Sequence, residues 1–439
     1  MRPALRSIGV MGASPASAGA DGLSLQPFRA IRPTADGTDL APLLCPPYDV
    51  IDADARRRLL TRSPDNYVAI ALPDPTPAGY ADAARVLQAR VDSGVLAVDP
   101  APALYVYEMA SGGGDITRGL VGAVELRAPE DGVILPHENT MANPVADRLA
   151  VMTATGADLE PIYLIYDGGG PASALLHDVD SREPIATTRT DDGITHRLWL
   201  VDDPAQIQAV RQDLATRRAL IADGHHRYAT YRERQRLRCA EAGPGPWDFG
   251  LALLVDSTQY GPQVHPIHRV VPGLSLARAT ELLTPYAEVE RLPVATNDTL
   301  VRALDEIAGR DGFAAVVTDG VSAARVYDSG GLAAASLRAH EPPALADLDV
   351  TVLHRGVVET AWRLSDDVEH VGYAHTVDEA VSAAREAQGV AVLLRATPAD
   401  AVASVAAAGA RMPRKSTLFT PKPASGLFLR RLADHDVTT

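Results

Sequence analysis

Apolar residues along the chain fall into two patterns. Short continuous runs, bounded by Gly, Pro, Asp and Asn, read as buried strands. Such runs lie at 67–72, 104–109, 119–126, 162–166, 194–201, 219–222 and 250–255. The runs at 104–109 and 119–126 flank a glycine-rich turn at 112–114 and are expected to pair. Stretches rich in good helix formers predict helices over 53–61, 80–92 and 204–216, with Asp52 capping the first and Gly94 stopping the second. Asn143 as a cap and Pro144 at the first helical position predict another helix, with Asp147 and Arg148 in its next turn. At 264–271 a strand is expected with His265, Ile267 and Arg269 on one face and His268 on the other. From about 275, helices at 277–286, 298–308 and 377–388 alternate with short strands at 314–317, 324–327 and 390–394. The expected architecture is mixed α/β: an N-terminal catalytic lobe over 25–274 and a C-terminal lobe over 275–433. Residues 1–24 are expected to form a disordered tail, because Gly9, Gly12 and Pro15 interrupt any apolar core that a signal peptide would need.

Composition narrows the function. The net charge of −15 over 439 residues disfavours non-specific nucleic-acid binding, which depends on phosphate neutralisation. Two cysteines, Cys45 and Cys239, exclude a disulfide framework and a cysteine-rich zinc site. With no apolar run of membrane-spanning length, a cytoplasmic protein without a membrane partner is expected. Oligomeric state is left open.

The densest chemistry is Ala222-Asp223-Gly224-His225-His226-Arg227-Tyr228. A short apolar run precedes it and a helical stretch over 228–242 follows, so the order is strand, tight turn, helix. A helix start offers unpaired N–H groups and the positive end of a dipole, which suit an anion. His225, His226 and Arg227 add donors there, and Asp223 supplies a carboxylate suited to a metal ion or a substrate proton. The plainer alternative is that Asp223 caps the helix and Arg227 pairs with it. A second polar stretch, Leu135-Pro136-His137-Glu138-Asn139-Thr140, follows the apolar run at 133–135 and puts His137 and Glu138 on a loop. Added to these are Tyr48 and Asp49 in the stiff loop Cys45-Pro46-Pro47-Tyr48-Asp49-Val50, the His268-Arg269 pair, and Lys415, Ser416 and Lys422.

Phosphoryl transfer needs positioning, cationic stabilisation and a base for the acceptor hydroxyl, and this collection holds all three. No Walker-type loop and no protein-kinase signature occurs. The alternatives are a metal-dependent phosphohydrolase using His137, Glu138, Asp223, His225 and His226, and a non-catalytic nucleotide-binding protein. The basic residues add one clue: of 41 Lys and Arg, only Lys415 and Lys422 are lysine. An ammonium is a compact point charge where a guanidinium is a broad fork, so two lysines this close together suggest pockets that exclude arginine.

Five ordered motifs carry a resemblance. Pro46-Pro47-Tyr48-Asp49-Val50, His137-Glu138-Asn139-Thr140, Ala222 to Tyr228, Pro266-Ile267-His268-Arg269 and Met412-Pro413-Arg414-Lys415-Ser416-Thr417 occur in the order of the bacterial family numbered 1015 among domains of unknown function, over about 28–432. The Asp-Gly-His-His-Arg string also resembles that of free-serine kinases with a ParB/sulfiredoxin-like fold. That resemblance implies a nucleotide-binding core of this fold with large insertions and a C-terminal α/β lobe. It also implies ATP-dependent phosphorylation of the hydroxyl of free L-serine, with magnesium, and with ADP as the other donor to be weighed. It carries over to Asp223, His225, His226 and Arg227. The resulting expectation makes Glu138, Asp223 and His225 catalytic, with Glu138 as base on chemical grounds and Asp223 also as metal ligand. His137, Arg148, His226, Arg227, His268, Arg269 and Lys415 would bind nucleotide or phosphate, and Tyr48, Asp49, Ser416 and Lys422 the small acceptor.

Overall fold

The computed structural model describes residues 22–34, 39–292, 295–367 and 369–434. Its contacts separate two compact units. The first comprises the chain up to Pro136, Thr140–Pro262 and the segment from Pro421 onward. The second comprises His137–Asn139 and Gln263–Thr420. The division therefore falls earlier than the expected boundary after 274, and the chain returns to the first unit near its end. Most of the expected tail lies outside the described residues. Its last part does not: Leu23 is buried and its N–H donates to the Arg217 carbonyl at 3.0 Å.

The first unit is built on a nine-stranded mixed sheet. Its order is Ile134–Leu135, Ala219–Asp223, Ile162–Tyr166, Phe249–Asp256, Ile116–Glu125, Leu104–Ala110, Thr195–Val201, Ala186–Arg189, with Leu25–Gln26 added on Ile116–Glu125. Phe249–Asp256 lies between two partners, as its unbroken apolar run predicts. The expected pair around the glycine-rich turn forms as an antiparallel hairpin. A smaller sheet joins Leu96–Val98, Ala30–Pro33, Leu429–Arg431 and Ala157–Asp158, so that the returning chain is a central strand of it.

In the second unit a six-stranded, wholly antiparallel sheet is covered on both faces. Alternate residues of Ala314–Thr318 and Val390–Leu394 serve opposite cores: Ala315, Val317, Val390, Val392 and Leu394 on one side, Ala314, Val316, Ala391 and Leu393 on the other. Ala279 and Leu283 of the helix Leu276–Leu283 close the first face. Leu300 of Asn297–Ile307 and Val381 of Val377–Glu386 close the second.

Four local expectations are corrected. Residues 67–72 contain the short helix Val68–Ala71, because the buried Asn66 carboxamide accepts the Val68 N–H and starts a turn. The run 264–271 is two strands, Gln263–His265 and His268–Val271, in different sheets, because Pro266 interrupts the ladder. The helix Ala142–Thr155 begins before Asn143, leaving Pro144 in its first turn, where no N–H is required. The helix after Gly224 begins at His225 rather than at 228.

The returning segment is held by charge. Arg430 is buried and donates to Asp158 Oδ2 at 2.7 Å and to the Phe249 and Pro246 carbonyls. Arg234 lies 2.6 Å from the other Asp158 oxygen, which makes a buried Arg–Asp–Arg triad. Burial would raise the Asp158 carboxyl, but the two guanidiniums outweigh it and hold it below the ordinary carboxylate range. Asp158→Ala leaves two buried cations uncompensated and is expected to destabilise the protein by about 3–5 kcal/mol, read from denaturant midpoints. Since the folded pKa is the lower one, this stabilisation is complete above the ordinary carboxylate pKa and is lost as pH falls through the folded one. Wild type and variant should therefore converge in stability on acidification; a gap that persists at low pH would rule out the triad as its source.

Candidate functional site

The strand Ala219–Asp223 ends in an irregular register against Ile162–Tyr166, and Gly224 then turns at φ +92° into the helix His225–Ala242. This left-handed backbone favours glycine, and a Cβ there would meet the Arg227 guanidinium at 3.0 Å. The turn aims the Asp223 carboxylate at two cations. Arg227 Nη2 donates to Oδ2, and Lys422 Nζ lies 2.5 Å from Oδ1. Lys422 also sits 3.9 Å from Asp49 Oδ2.

The loop bearing Asp49 and the segment bearing Lys422 are paired. Cys45 and Ser425 exchange backbone hydrogen bonds at 3.2 and 2.8 Å, and the Ala424 N–H donates to the buried Tyr107 hydroxyl. Beneath them lies Glu160, 4% exposed, which accepts from the Tyr48 N–H at 3.0 Å and from Ser425 Oγ at 2.5 Å. Burial raises the Glu160 carboxyl against the opposing pull of Arg227, the Ser425 hydrogen bond and Arg148. Burial lowers the Arg227 guanidinium, yet Asp223, Glu160 and Asp49 outweigh it and keep it above its ordinary value. Lys422 behaves alike, with Asp223 and Asp49 prevailing over burial. Arg148 stacks its guanidinium 4.2 Å from the Tyr48 ring centroid, and burial pushes that phenol up to about 12.

The first unit thus gathers Tyr48, Asp49, Arg148, Asp223, His225, His226, Arg227 and Lys422. Several of these are committed to protein partners. Arg227 is buried and gives its other nitrogen to the Pro161 carbonyl, so it holds Asp223 rather than meeting a phosphate directly. Arg148 is turned to Asp147 and the Ala71 carbonyl. His226 Nε2 accepts the Met141 N–H at 3.1 Å, and His225 is buried in the first helical turn. The metal role expected of Asp223 does not fit this arrangement, since each of its oxygens faces a cation. Among the described residues no group of three or more His, Cys, Asp or Glu side chains is placed to hold a metal ion. Asp49 differs from the other carboxylates here. Its side chain is 39% exposed, against 14% for Asp223, so a ligand can reach it.

His137, Glu138, His268, Arg269, Lys415 and Ser416 belong to the second unit. Arg269 is fully buried and donates Nη2 to the Arg414 and Lys415 carbonyls at 3.2 and 3.0 Å, which fastens the turn where Lys415 adopts φ +54°. Burial lowers that guanidinium to about 10. His268 accepts the Leu394 N–H, and burial with Arg269 lowers it to about 4. His137 lies 3.0 Å from Thr417 Oγ1, and its carbonyl accepts the Met412 N–H. Ser416 donates to the Pro413 carbonyl. In this unit His268, Arg269 and Ser416 bond to backbone and His137 to the Thr417 side chain, while Lys415 is exposed and Glu138 half-buried.

Sequence reasoning passed over Glu160 and Ser425. The available signal was an acid directly before Pro161 and a continuous apolar strand, where a charge has to find a buried partner.

No curated protein matches the chain. Among solved structures it is similar to a free serine kinase in complex with AMP, at 14% identity and a TM-score of 0.36, covering 69% of this chain and 90% of that one. It is also similar to a conserved hypothetical protein from Pyrococcus furiosus, at 15% identity, a TM-score of 0.32 and coverage of 69% and 94%. A C-terminally truncated SbnI from Staphylococcus aureus matches at 14% identity, a TM-score of 0.35 and coverage of 72% and 91%. A family model described as protein of unknown function (DUF1015) matches residues 25–369, a span that ends before Met412-Pro413-Arg414-Lys415 and Lys422. Matched over well more than half its length, the chain belongs to that family.

Proposed function

We propose that the protein is a small-molecule kinase that transfers the γ-phosphoryl group of ATP to the hydroxyl of a free amino acid, L-serine first among the candidates. The observation that carries this reading is the row Asp49, Lys422, Asp223, Arg227 at a strand-to-helix turn. It places a reachable carboxylate beside an ammonium that is itself held in place from behind. The Asp-Gly-His-His-Arg resemblance supports the same class.

In this reading Asp49 takes the hydroxyl proton as the serine oxygen attacks the γ-phosphorus. The bond to the bridging oxygen breaks and ADP leaves. The Lys422 ammonium, kept protonated by Asp223 and Asp49, faces the charge that develops on the transferred group. Arg227 and Glu160 act one step back, by holding Asp223 and the paired loops. Magnesium, when bound, would supply charge neutralisation on the nucleotide phosphates. Glu138 remains the second candidate base.

The deciding assay incubates purified protein with ATP, magnesium and a panel of free amino acids, and follows ADP together with a phosphorylated product. ADP release without acceptor would indicate a phosphohydrolase, and nucleotide binding without turnover a non-catalytic module. Asp49→Asn is expected to lower kcat on the order of 10²–10⁴-fold with nucleotide affinity retained. The same loss in Glu138→Gln, with Asp49→Asn fully active, would move the base to Glu138. Lys422→Arg keeps the charge but puts a planar fork where a point charge fits between two carboxylates, so kcat/KM should fall on the order of tenfold or more. Wild-type kinetics in that variant would remove Lys422 from the site.

A further inference from the structure

The second unit holds a cleft of about 540 Å³, within the range of small-ligand sites. One wall is the helix Val352–Ala361, wound as a π-helix. Hydrogen bonding from i to i+5 brings residues five apart onto one face, so His354 and Glu359 share the cleft wall with Arg355. Asp366, Glu341 and Arg411 complete the charged lining. The C-terminal end of the helix Ala399–Ala407 opens onto the cleft through Ala408, Gly409 and Ala410, which presents the negative end of its dipole.

The lining is ordered. Arg355 lies against both Glu341 oxygens at 2.5 and 3.0 Å. Glu359 meets Arg338 at 3.0 Å. Asp366 Oδ1 is 2.8 Å from His354 Nδ1, while His354 Nε2 accepts from Arg269 Nε at 3.0 Å. Burial, working against the Asp366 hydrogen bond, lowers the imidazole below its ordinary value, and the Arg269 N–H donated to Nε2 leaves the ring proton on Nδ1. Its Nδ1 proton then points at Asp366. The cleft therefore shows three carboxylates and a helix C-terminus beside two guanidiniums, with little apolar wall beyond Leu345, Met412 and prolines.

A ligand of one sign would face its own charge on part of this wall. These charges are already paired, Asp366 with Arg414 at 3.8 Å as well as with His354, and a ligand carrying both signs a short distance apart can join the pairs without unbalancing them. We propose that this cleft is a binding site for a free zwitterionic α-amino acid. The ammonium lies toward Glu359, Asp366 and the carbonyls at the helix end, and the carboxylate toward Arg355 and Arg411. The site is composed of second-unit residues, and occupancy requires no turnover, so it stands or falls separately from the proposed reaction.

Isothermal titration and thermal shift of the full chain, without nucleotide, test it with L-serine, other α-amino acids, ethanolamine and glycolate. Saturable binding of amino acids is expected, with neither ethanolamine nor glycolate binding at the same concentrations. Ala408→Trp fills the cleft from an exposed position, and Glu359→Gln removes one ammonium partner with little change in shape. Each should weaken amino-acid binding on the order of tenfold or more when measured in the Asp223→Asn background, where serine held at the first-unit site does not contribute. Binding that survives both cleft variants in that background, or that is absent from the Asp223→Asn protein with the cleft intact, would overturn the assignment. So would the absence of amino-acid binding, and equal binding of ethanolamine or glycolate would overturn the zwitterion class.

Discussion

A fully buried carboxylate, Asp158, held between Arg234 and Arg430, governs where the last part of the chain lies. The cost of burying three charges is recovered only when all three are present, which makes the return of Leu429–Arg431 to the first unit nearly all-or-none. Once that strand is seated, the residues just before it have little freedom. Ser425 reaches Glu160, Cys45 and Ser425 pair, and Lys422 arrives at Asp223. The row of alternating charge at the strand-to-helix turn is thus a consequence of a triad that takes no part in chemistry.

The same economy recurs in the second unit. Arg269 spends its donors on the Arg414 and Lys415 carbonyls, on Ile267 and on His354. Polar residues that look like ligands in a linear motif also hold backbone that has no regular ladder of its own. Buried guanidiniums suit this because their donors diverge within a plane and can satisfy several carbonyls at once.

Much of the fold was legible in the sequence, because strands buried on both faces leave continuous apolar runs. The runs at 104–109, 162–166, 250–255 and 390–394 are strands for that reason. The run at 67–72 misleads because its conformation is set by Asn66 outside the run, and that at 264–271 because one proline divides it between sheets. The grouping of Asp49, Asp223, Arg227 and Lys422 was visible only as a list, since no spacing within 49, 223 and 422 reveals that they meet. Glu160 shows only as an acid set against an apolar strand, and its role is recognised by its partners; the π-helix carries no local pattern and is recognised by where its hydrogen bonds go.

One consequence of the returning segment concerns time rather than space. The first unit is interrupted in sequence by the whole of 263–420. On the ribosome its sheet and its Asp223 turn emerge before the second unit, while Lys422, Ser425 and Arg430 emerge after it. Until then Asp223 has Arg227 but not its lysine, Glu160 lacks its serine, and Asp158 has only one arginine. The nascent chain therefore carries an unfinished charge cluster that closes only after 263–420 has been synthesised, so that the site is assembled only in molecules whose second unit has already been made.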